Sequence, residues 1–165
     1  MDKGMKKRWI SLYVENQVGV LSKISGLFSG KSYNLQSLTV GETEDPTVSR
    51  MTIGMLSDDI TFEQIKKQLN RCVEVIKVVD FTVAETRMRE ILFIKVIGCS
   101  LADKEEIFRI AQVFNLDVVD YRGGALLVEC IKSEDDNNEV VALFNRTFPS
   151  RIEVVRGGNV AIERA

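Results

Sequence analysis

The same order of predicted secondary-structure elements occurs twice in this chain of 165 residues. Alternating apolar and polar residues predict strands, and apolar residues three and four positions apart predict helices. In the first half, the predicted order is strand, helix, strand, strand, helix, strand, with the strands at 9–14, 34–43, 48–56 and 73–83. In the second half the order is the same, with the strands at 91–98, 116–122, 125–131 and 151–164. This is the split βαβ arrangement, so we expect an α+β protein of two tandem ferredoxin-like βαββαβ units, residues 1–84 and 85–165.

Local signals predict where the helices begin and end. The first helix is expected to begin at Val20, directly after Gly19, and to end at Gly30, with Lys31 at its negative end. The other helices are expected to begin at capping boxes, which pair Thr61 with Gln64, Asp103 with Glu106, and Asp136 with Glu139. The polar segment Glu85–Glu90 predicts a linker between the two units.

The stretch "SGLFSGKS", residues 25–32, is similar to a phosphate-binding P-loop but lacks one residue. A P-loop needs four residues between its two glycines, and only three separate Gly26 from Gly30. The stretch also lies at the predicted end of a helix, where free carbonyl groups repel a phosphate. We therefore interpret it as the end of a helix and not as a nucleotide site.

The net charge restricts the class of partner. A formal net charge of −2 is unlike the basic stripe that nucleic-acid binding requires. No apolar run approaches the roughly 18 residues of a membrane span, and the basic start "MDKGMKKR" predicts a solvated tail. We expect small molecules or proteins as partners, with no nucleic acid and no membrane.

The cysteines and the lack of histidine argue against catalysis by this chain. Cys72, Cys99 and Cys130 stand far apart without a C-x-x-C pair, which predicts free, buried or half-buried thiols in a reducing cytoplasm. The chain has no histidine, the residue that catalytic triads, zinc sites and general bases most often use. We predict no catalytic residue, no metal site and no cofactor bound by this chain.

The first strand-to-helix loop has the composition of a ligand site. Asn16 offers hydrogen-bond donors and an acceptor, and Gly19 leaves the backbone accessible where the helix begins. The free N–H groups at a helix start can bind a carboxylate, so the loop suits a small zwitterion. The alternative is purely structural, with Asn16 capping the helix and Gly19 turning the chain. Asn34, at the entry to the second strand, can be read as a turn residue.

A longer motif connects these positions. The segment "VENQVGVLSKISGLFSGKSYNLQSLTVGETEDPTVSRMTIGM" resembles the amino-terminal ACT domain of the acetolactate synthase (acetohydroxyacid synthase) small-subunit family. The matching positions are Asn16, Gly19, Leu21, Asn34, Asp45, Pro46 and 49–52. Segments of the second half, among them "EEIFRIAQVFNLDVVDY", are similar to the family's carboxy-terminal domain. Ser32, Leu35 and Gly157 depart from the family pattern, and the first two flank the expected effector pocket.

The resemblance implies a regulatory role. Members of the family dimerise through their ACT domains, activate a catalytic large subunit that uses thiamine diphosphate, magnesium and FAD, and confer feedback inhibition by valine. The resemblance assigns valine contacts to Asn16 and Gly19 of one chain and Asn34 of another. Weaker candidates for backbone or apolar contact are Val20, Leu21 and Leu35.

Three other functions remain open from the sequence. A stand-alone ACT protein could sense an amino acid and regulate a different partner. An RNA-binding module of the same topology needs aromatic residues on its central strands, and "VSRMTIGM" offers none. An enzyme that uses a cysteine nucleophile needs an adjacent base, for which the sequence gives no sign.

Overall fold

The computed structural model describes residues 4–29 and 33–165. Gly30, Lys31 and Ser32, for which the sequence predicted the end of the first helix and a departure from the family pattern, lie outside the described residues. The described chain forms two four-stranded sheets. Each sheet is built from one βαββαβ sequence of elements, which confirms the predicted tandem ferredoxin-like fold.

The first sheet has the strand order β2-β3-β1-β4. Neighbouring strands are antiparallel throughout, so β1 and β2 both run opposite to β3 and end on the same side of the sheet. The elements are β1 (Lys6–Glu15), α1 (Val20–Ser29), β2 (Leu35–Glu42), β3 (Val48–Ser57), α2 (Asp59–Leu69) and β4 (Val75–Asp80). The predicted start of α1 at Val20 is confirmed.

The second sheet repeats this order as β6-β7-β5-β8. A two-residue turn at Gly123 and Gly124 joins β6 to β7, as predicted, and both residues have a positive φ (54° and 84°) that favours glycine. The elements are β5 (Thr86–Val96), α3 (Leu101–Phe114), β6 (Asp117–Arg122), β7 (Ala125–Lys132), α4 (Glu134–Thr147) and β8 (Ile152–Glu163).

The chain forms two compact units, and its C-terminal tail belongs to the first. The first unit runs to Arg87 and includes Asn159–Ala165, and the second unit is Met88–Gly158. Asn159 is buried, and its N–H donates to Ser37 Oγ at 3.0 Å. Thr39 Oγ1 in turn donates to the carbonyl oxygen of Asn159 at 2.7 Å. These bonds tie the tail to β2.

Each unit has its own apolar core between its sheet and its two helices. The apolar side chains that face the sheets from the helices supply much of both cores. In the first unit, for example, α2 buries Phe62, Ile65 and Leu69. Phe114, which is spaced three and four residues from Ala111 and Ile110 as a core position of α3 would be, is instead 40% exposed. Most of the other core side chains come from the two central strands of each sheet. They are Ile10, Leu12, Val14, Met51, Ile53 and Met55 in the first unit and Leu92, Ile94, Val96, Leu126 and Val128 in the second. None of the helices in the described ranges has the length and apolar character that crossing a membrane requires.

Two polar segments are more ordered than the sequence predicted. Lys6, Lys7 and Arg8 belong to β1 and not to a solvated tail, because the Arg8 side chain packs on the Phe62 ring and pairs with Asp59. The predicted linker, Glu85–Glu90, contains the boundary between the two units, but it is not an irregular segment because β5 begins at Thr86. Glu90 lies buried in that strand, where Arg156 and Asn137 satisfy its carboxylate.

The three predicted capping boxes are each displaced by one helical turn. The residues that cap α2, α3 and α4 are Asp58, Ser100 and Ser133, each three residues before the predicted cap. The residues predicted as caps stand inside the first turn and bond to the true cap. A capping pair three residues apart repeats easily in a polar segment, so spacing alone did not identify the first member.

Candidate functional site

The start of α3 in the second unit is closed by its own side chains. Ser100 Oγ accepts the N–H of Asp103 at 3.1 Å, and Asp103 Oδ2 accepts the N–H of Ser100 at 2.8 Å. Arg151 donates two further hydrogen bonds to the Asp103 carboxylate, at 2.9 and 3.1 Å. These bonds hold the pKa of Asp103 well below its usual range. The positive end of α3 is therefore already paired with a carboxylate.

The start of α1 in the first unit is open. The N–H of Val20 donates to the Gln17 carbonyl at 3.3 Å, and that of Lys23 donates to the Gly19 carbonyl at 2.9 Å. Within residues 4–29 and 33–165, the N–H groups of Leu21 and Ser22 have no recorded acceptor. The helices α2, α3 and α4 all have a side-chain cap, and none is recorded for α1. Two donors at a positive helix end are thus available to an anion.

Gly19 keeps this helix end accessible. Its φ is +87°, a region that side chains other than glycine rarely adopt, and a Cβ at this position would meet no atom within 4 Å. Gly98 stands in a comparable place before α3, with φ +65° and the same open space. The two glycines therefore precede different helix starts, a free one after Gly19 and a capped one after Gly98.

Asn16 braces the loop and does not cap α1. Its side-chain nitrogen donates to Glu42 Oε1 at 3.1 Å and to the Pro46 carbonyl at 2.9 Å. Its backbone N–H donates to the Thr47 carbonyl at 2.7 Å. The structural alternative considered for Asn16, helix capping, is therefore wrong. The side-chain oxygen has no recorded donor among the described residues and is available to accept one. Glu42 was not identified from the sequence, because nothing in its spacing links it to Asn16.

Lys23 is the cation on the first turns of α1, and it is already engaged. Its Nζ donates to Glu74 Oε1, and this bond raises the pKa of Lys23 and lowers the pKa of Glu74. Since Lys23 is bound to a carboxylate of the same chain, an anion at the start of α1 would be held mainly by backbone N–H groups.

The three weaker candidates have different surroundings. Val20 is 5% exposed and its side chain belongs to the core, so only its backbone can face a ligand. Leu35 is half-buried and packs against the same core. Leu21 is 47% exposed and lies beside the free N–H groups. Of the three, Leu21 alone offers an accessible apolar side chain.

Asn34 lies at the other end of the first unit. Val14 and Glu42 both pair with Ser49, so β1 and β2 finish together, near Asn16. Asn34 precedes β2, whose eight residues span about 26 Å. The structure brings Asn16 to Glu42 and to the start of α1, and it does not bring Asn34 of the same chain to them.

The face of the first sheet away from the helices carries aromatic residues that the sequence analysis overlooked. The central strand β1 places Trp9 and Tyr13 there, although β3 has none. Both rings are occupied: Trp9 covers Gly54, and the Arg50 guanidinium lies 4.9 Å from the centre of the Tyr13 ring. These rings are not free platforms for bases to stack on.

The cysteines are free, as predicted, with Cys130 buried and Cys72 and Cys99 half-buried. Burial raises the pKa of the Cys99 and Cys130 thiols, which keeps them in the unreactive protonated form. Among the described residues, no group of three or more metal-binding side chains comes together.

Comparisons with known proteins give matches along nearly the whole chain. Residues 10–77 match the family model of the AHAS small subunit-like ACT domain, and residues 89–165 match that of the small subunit of acetolactate synthase. The chain is 38% identical to the acetolactate synthase small subunit of Aquifex aeolicus over 160 residues, which cover 97% of this chain and 82% of the relative. It is 35% identical to the acetolactate synthase isozyme 3 small subunit of Escherichia coli over 158 residues, which cover 96% of each. The crystal structure of the acetolactate synthase small subunit from Thermotoga maritima superposes with a TM-score of 0.85 at 32% identity, covering 97% of this chain and 98% of that one.

Proposed function

This chain belongs to the family of acetolactate synthase small, regulatory subunits, and from that premise we propose that it binds and activates the catalytic large subunit and makes it sensitive to valine. The single observation that carries the effector site is the uncapped start of α1 behind Gly19. In a fold whose other three helix starts are capped by side chains, this end is left for an external carboxylate.

The proposed site matches the parts of a free amino acid. The N–H groups of Leu21 and Ser22, together with the positive helix end, bind the carboxylate. Asn16 Oδ1 and the neighbouring Glu42 carboxylate accept hydrogen bonds from the ammonium group of the amino acid. The exposed Leu21 side chain contacts the apolar side chain of valine. Backbone atoms of Val20 and, from the second copy of the chain, the half-buried Leu35 next to Asn34 complete the site.

Asn34 contacts the ligand from a second copy of the chain. About 26 Å of β2 separates Asn34 from Asn16 within one chain, which supports a site formed by two copies. We propose a homodimer through residues 1–84, the ACT domain, which binds the effector. The carboxy-terminal domain, expected at residues 85–165 and formed in the structure by Met88–Gly158, completes the response of the catalytic subunit.

Regulation follows from a site shared by two chains. A ligand that binds one arrangement of the dimer better than another shifts the equilibrium towards it, and the catalytic subunit shifts the same equilibrium reciprocally. A coupling free energy of about 1–3 kcal/mol is enough for feedback control. Thiamine diphosphate, magnesium and FAD belong to the catalytic partner, and the cytoplasm is the compartment in which both subunits meet. The second candidate is an amino-acid sensor with a different protein partner, favoured by the same open helix end.

The experiment measures acetolactate formation by the cognate catalytic subunit with and without this chain, at increasing valine. We expect no activity from this chain alone, stimulation of the catalytic subunit by the chain, and inhibition by valine only when both are present. Stimulation without inhibition would overturn the effector proposal and leave the activating role. Valine binding without stimulation would support the second candidate.

A further inference from the structure

We infer that the second unit carries a self-association surface, in which the edge strand β6 pairs antiparallel with β6 of a second copy of this chain. The inference goes beyond the proposed effector site, because it involves none of the residues that contact valine. It rests on the exposure of this edge, on its one self-complementary register and on the apolar stripe of α3 beside it.

The edge strand β6 is exposed, and the features that can protect it are a bulge and the charged residues Asp117, Asp120 and Arg122. It lies at one end of the order β6-β7-β5-β8, so the outer side of its backbone is unpaired in the second sheet. Exposed edges usually carry lysine or proline, which discourage pairing with another chain. The sequence of β6, DVVDYR, contains neither. Val119 and Tyr121 are 48% and 54% exposed along this edge.

The helix beside this edge presents a second apolar stripe. One stripe of α3 faces the core through Ile107 and Ile110, as an amphipathic helix requires. The other contains Leu101 and Phe108, which are 74% and 49% exposed and line a groove with Tyr121. The groove also has polar walls, and one of their side chains, Lys104, donates to the Tyr121 hydroxyl at 3.1 Å. An apolar groove beside an unpaired strand is the arrangement that pairing of two sheet edges would cover.

The pairing of β6 with β7 determines which way its side chains point. Val118 and Tyr121 stand opposite Val128 and Leu126, which are buried in the core, so both lie on the helix side of the sheet. Asp117, Asp120 and Arg122 stand opposite Glu129, Leu127 and Ala125, on the other side. The bulge at Val119 produces this pattern, because it adds one residue between the two halves of the strand.

Two copies of this strand match in one register. When Asp117 stands opposite Arg122 of the second copy, Val118 stands opposite Tyr121, and both pairs share a face of the joined sheet. A shift by one residue places Asp117 opposite Tyr121, or Val118 opposite Arg122, and these side chains point to different faces. A shift by two places Asp117 opposite Asp120, which brings like charges together.

In the matching register, Asp117 of each copy stands opposite Arg122 of the other, which gives two pairs of opposite charge. The two-fold axis repeats the Asp117–Arg122 pair at both ends of the contact, because an isologous interface uses the same patch on both copies. Arg122 is largely exposed and is bonded to Asp120 of its own chain at 3.1 Å, so its guanidinium already lies on the face that the pair requires. The register therefore joins two opposite-charge pairs around a centre of Val119 and Asp120.

The test is disulfide trapping in the full-length chain, with Cys72→Ser and Cys99→Ser as background and Cys130 left buried. The variant Asp117→Cys/Arg122→Cys places thiols directly opposite each other in the proposed register, within the Cα separation that a disulfide allows. Mild oxidation with oxidised glutathione should convert most of it to a covalent dimer on a non-reducing gel. The control is Asp117→Cys alone, whose thiols lie about 15 Å apart along the paired strands in the proposed register, and it should yield less than about a tenth as much.

Equal cross-linking of both variants, or none in the first variant while it remains folded, would overturn the proposal. A second measurement compares Val119→Lys with Val113→Lys, a more exposed valine of α3 outside the groove, by sedimentation over a range of concentrations. Because the homodimer proposed through residues 1–84 also sediments as a dimer, the quantity compared is assembly beyond that dimer. We expect Val119→Lys alone to weaken this assembly about tenfold, since an edge lysine opposes strand pairing. Superimposable sedimentation of the two variants contradicts the proposal. If Val119→Lys weakens binding of the catalytic subunit and leaves self-association intact, a different protein occupies this edge and the proposal is wrong.

Discussion

The helices α1 and α3 occupy equivalent places in two units of the same topology, and they begin in opposite ways. The start of α3 is closed by Ser100 and Asp103 and reinforced by Arg151. The start of α1 comes directly after Gly19 and is not capped by a side chain among the described residues. The comparison shows that one fold can present the same helix end either capped by side chains or open, depending on a few residues in the preceding loop.

The polar networks of the two units differ in burial as well. In the second unit, Glu90 is 4% exposed and accepts hydrogen bonds from Arg156 at 3.0 and 2.7 Å and from Asn137 at 3.1 Å. In the first unit, Lys23 and Glu74 form an ion pair on the surface. Both units bury charged residues, since Arg8 of the first unit is also buried and pairs with Asp59. The contrast is between the Glu90–Arg156 pair, buried in the second unit, and the Lys23–Glu74 pair, at the surface of the first unit beside the start of α1.

The largest expected effect comes from closing the open end. Gly19→Asp places a carboxylate before α1, where it occupies the helix end as Asp103 does in α3. Because like charges brought together cost several kcal/mol, we expect valine affinity to fall about 100-fold or more while the protein remains folded. Calorimetric titration with valine measures this. Gly98→Asp, which adds the same charge at a glycine with a similar φ, should leave affinity unchanged. Equal loss in both variants would show that the effect is not local.

The second effect tests the buried network. Burial alone would raise the pKa of Glu90, but the hydrogen bonds from Arg156 and Asn137 outweigh it and lower that pKa. Glu90→Gln leaves Arg156 without its charged partner and should lower the free energy of unfolding by about 2 kcal/mol. Denaturant titration measures the change. Lys23→Met removes the surface ion pair of the first unit and should have no measurable effect on the same titration. A stable Glu90→Gln protein would contradict the difference between the units.

The third effect is the pH dependence of α3. The folded-state pKa of Asp103 is lowered by Arg151 and by the Ser100 N–H and hydroxyl. A carboxyl group with a lowered pKa contributes stability that is fully present above its unfolded pKa of about 4 and is lost as the pH falls below that value. We expect the free energy of unfolding of the wild type to fall more steeply below pH 4 than that of Asp103→Asn. Parallel curves for the two proteins would contradict the assigned pairing.

The smallest effect separates a capped helix from an uncapped one. Ser100→Ala removes the cap of α3 and should cost about 1 kcal/mol of unfolding free energy. Ser22→Ala, in the first turn of α1, removes a hydroxyl that caps nothing and should change stability by less than about 0.5 kcal/mol. Thermal unfolding of both variants measures the difference, and equal destabilisation would indicate a cap at α1 after all.

The sequence predicted the order of the elements and the start of α1, because both depend on local patterns; the effector site at that loop stays a prediction. The periodicity of Val20 and Ile24 and the isolated Gly19 were sufficient to place α1. The partners of Asn16 could not be predicted, since Glu42 and Pro46 are distant in sequence and meet it only when β1 and β2 end together.

The errors have related causes. Arg8 and Glu90 were assigned to solvated segments because charged residues favour the surface, yet each has a partner from another element that permits burial. The helix caps were misplaced by one turn because Ser100 and Asp103 satisfy each other reciprocally, and spacing does not reveal which member comes first. Tertiary partners, which the linear pattern does not contain, decided all of these positions.

The central claim is that two copies of the chain share each valine site, one through Asn16 and Gly19 and the other through Asn34. It is tested most directly by mixing two inactive variants, Gly19→Asp and Asn34→Ala, and measuring valine binding by calorimetry. Alone, each variant should bind no valine in the wild-type range. In a mixed dimer, both defects fall in one site and the other is intact, so an equal mixture should recover roughly a quarter of the wild-type capacity at wild-type affinity. No recovery in a mixture that exchanges subunits would contradict the claim, because a site formed within one chain cannot be restored by a second copy.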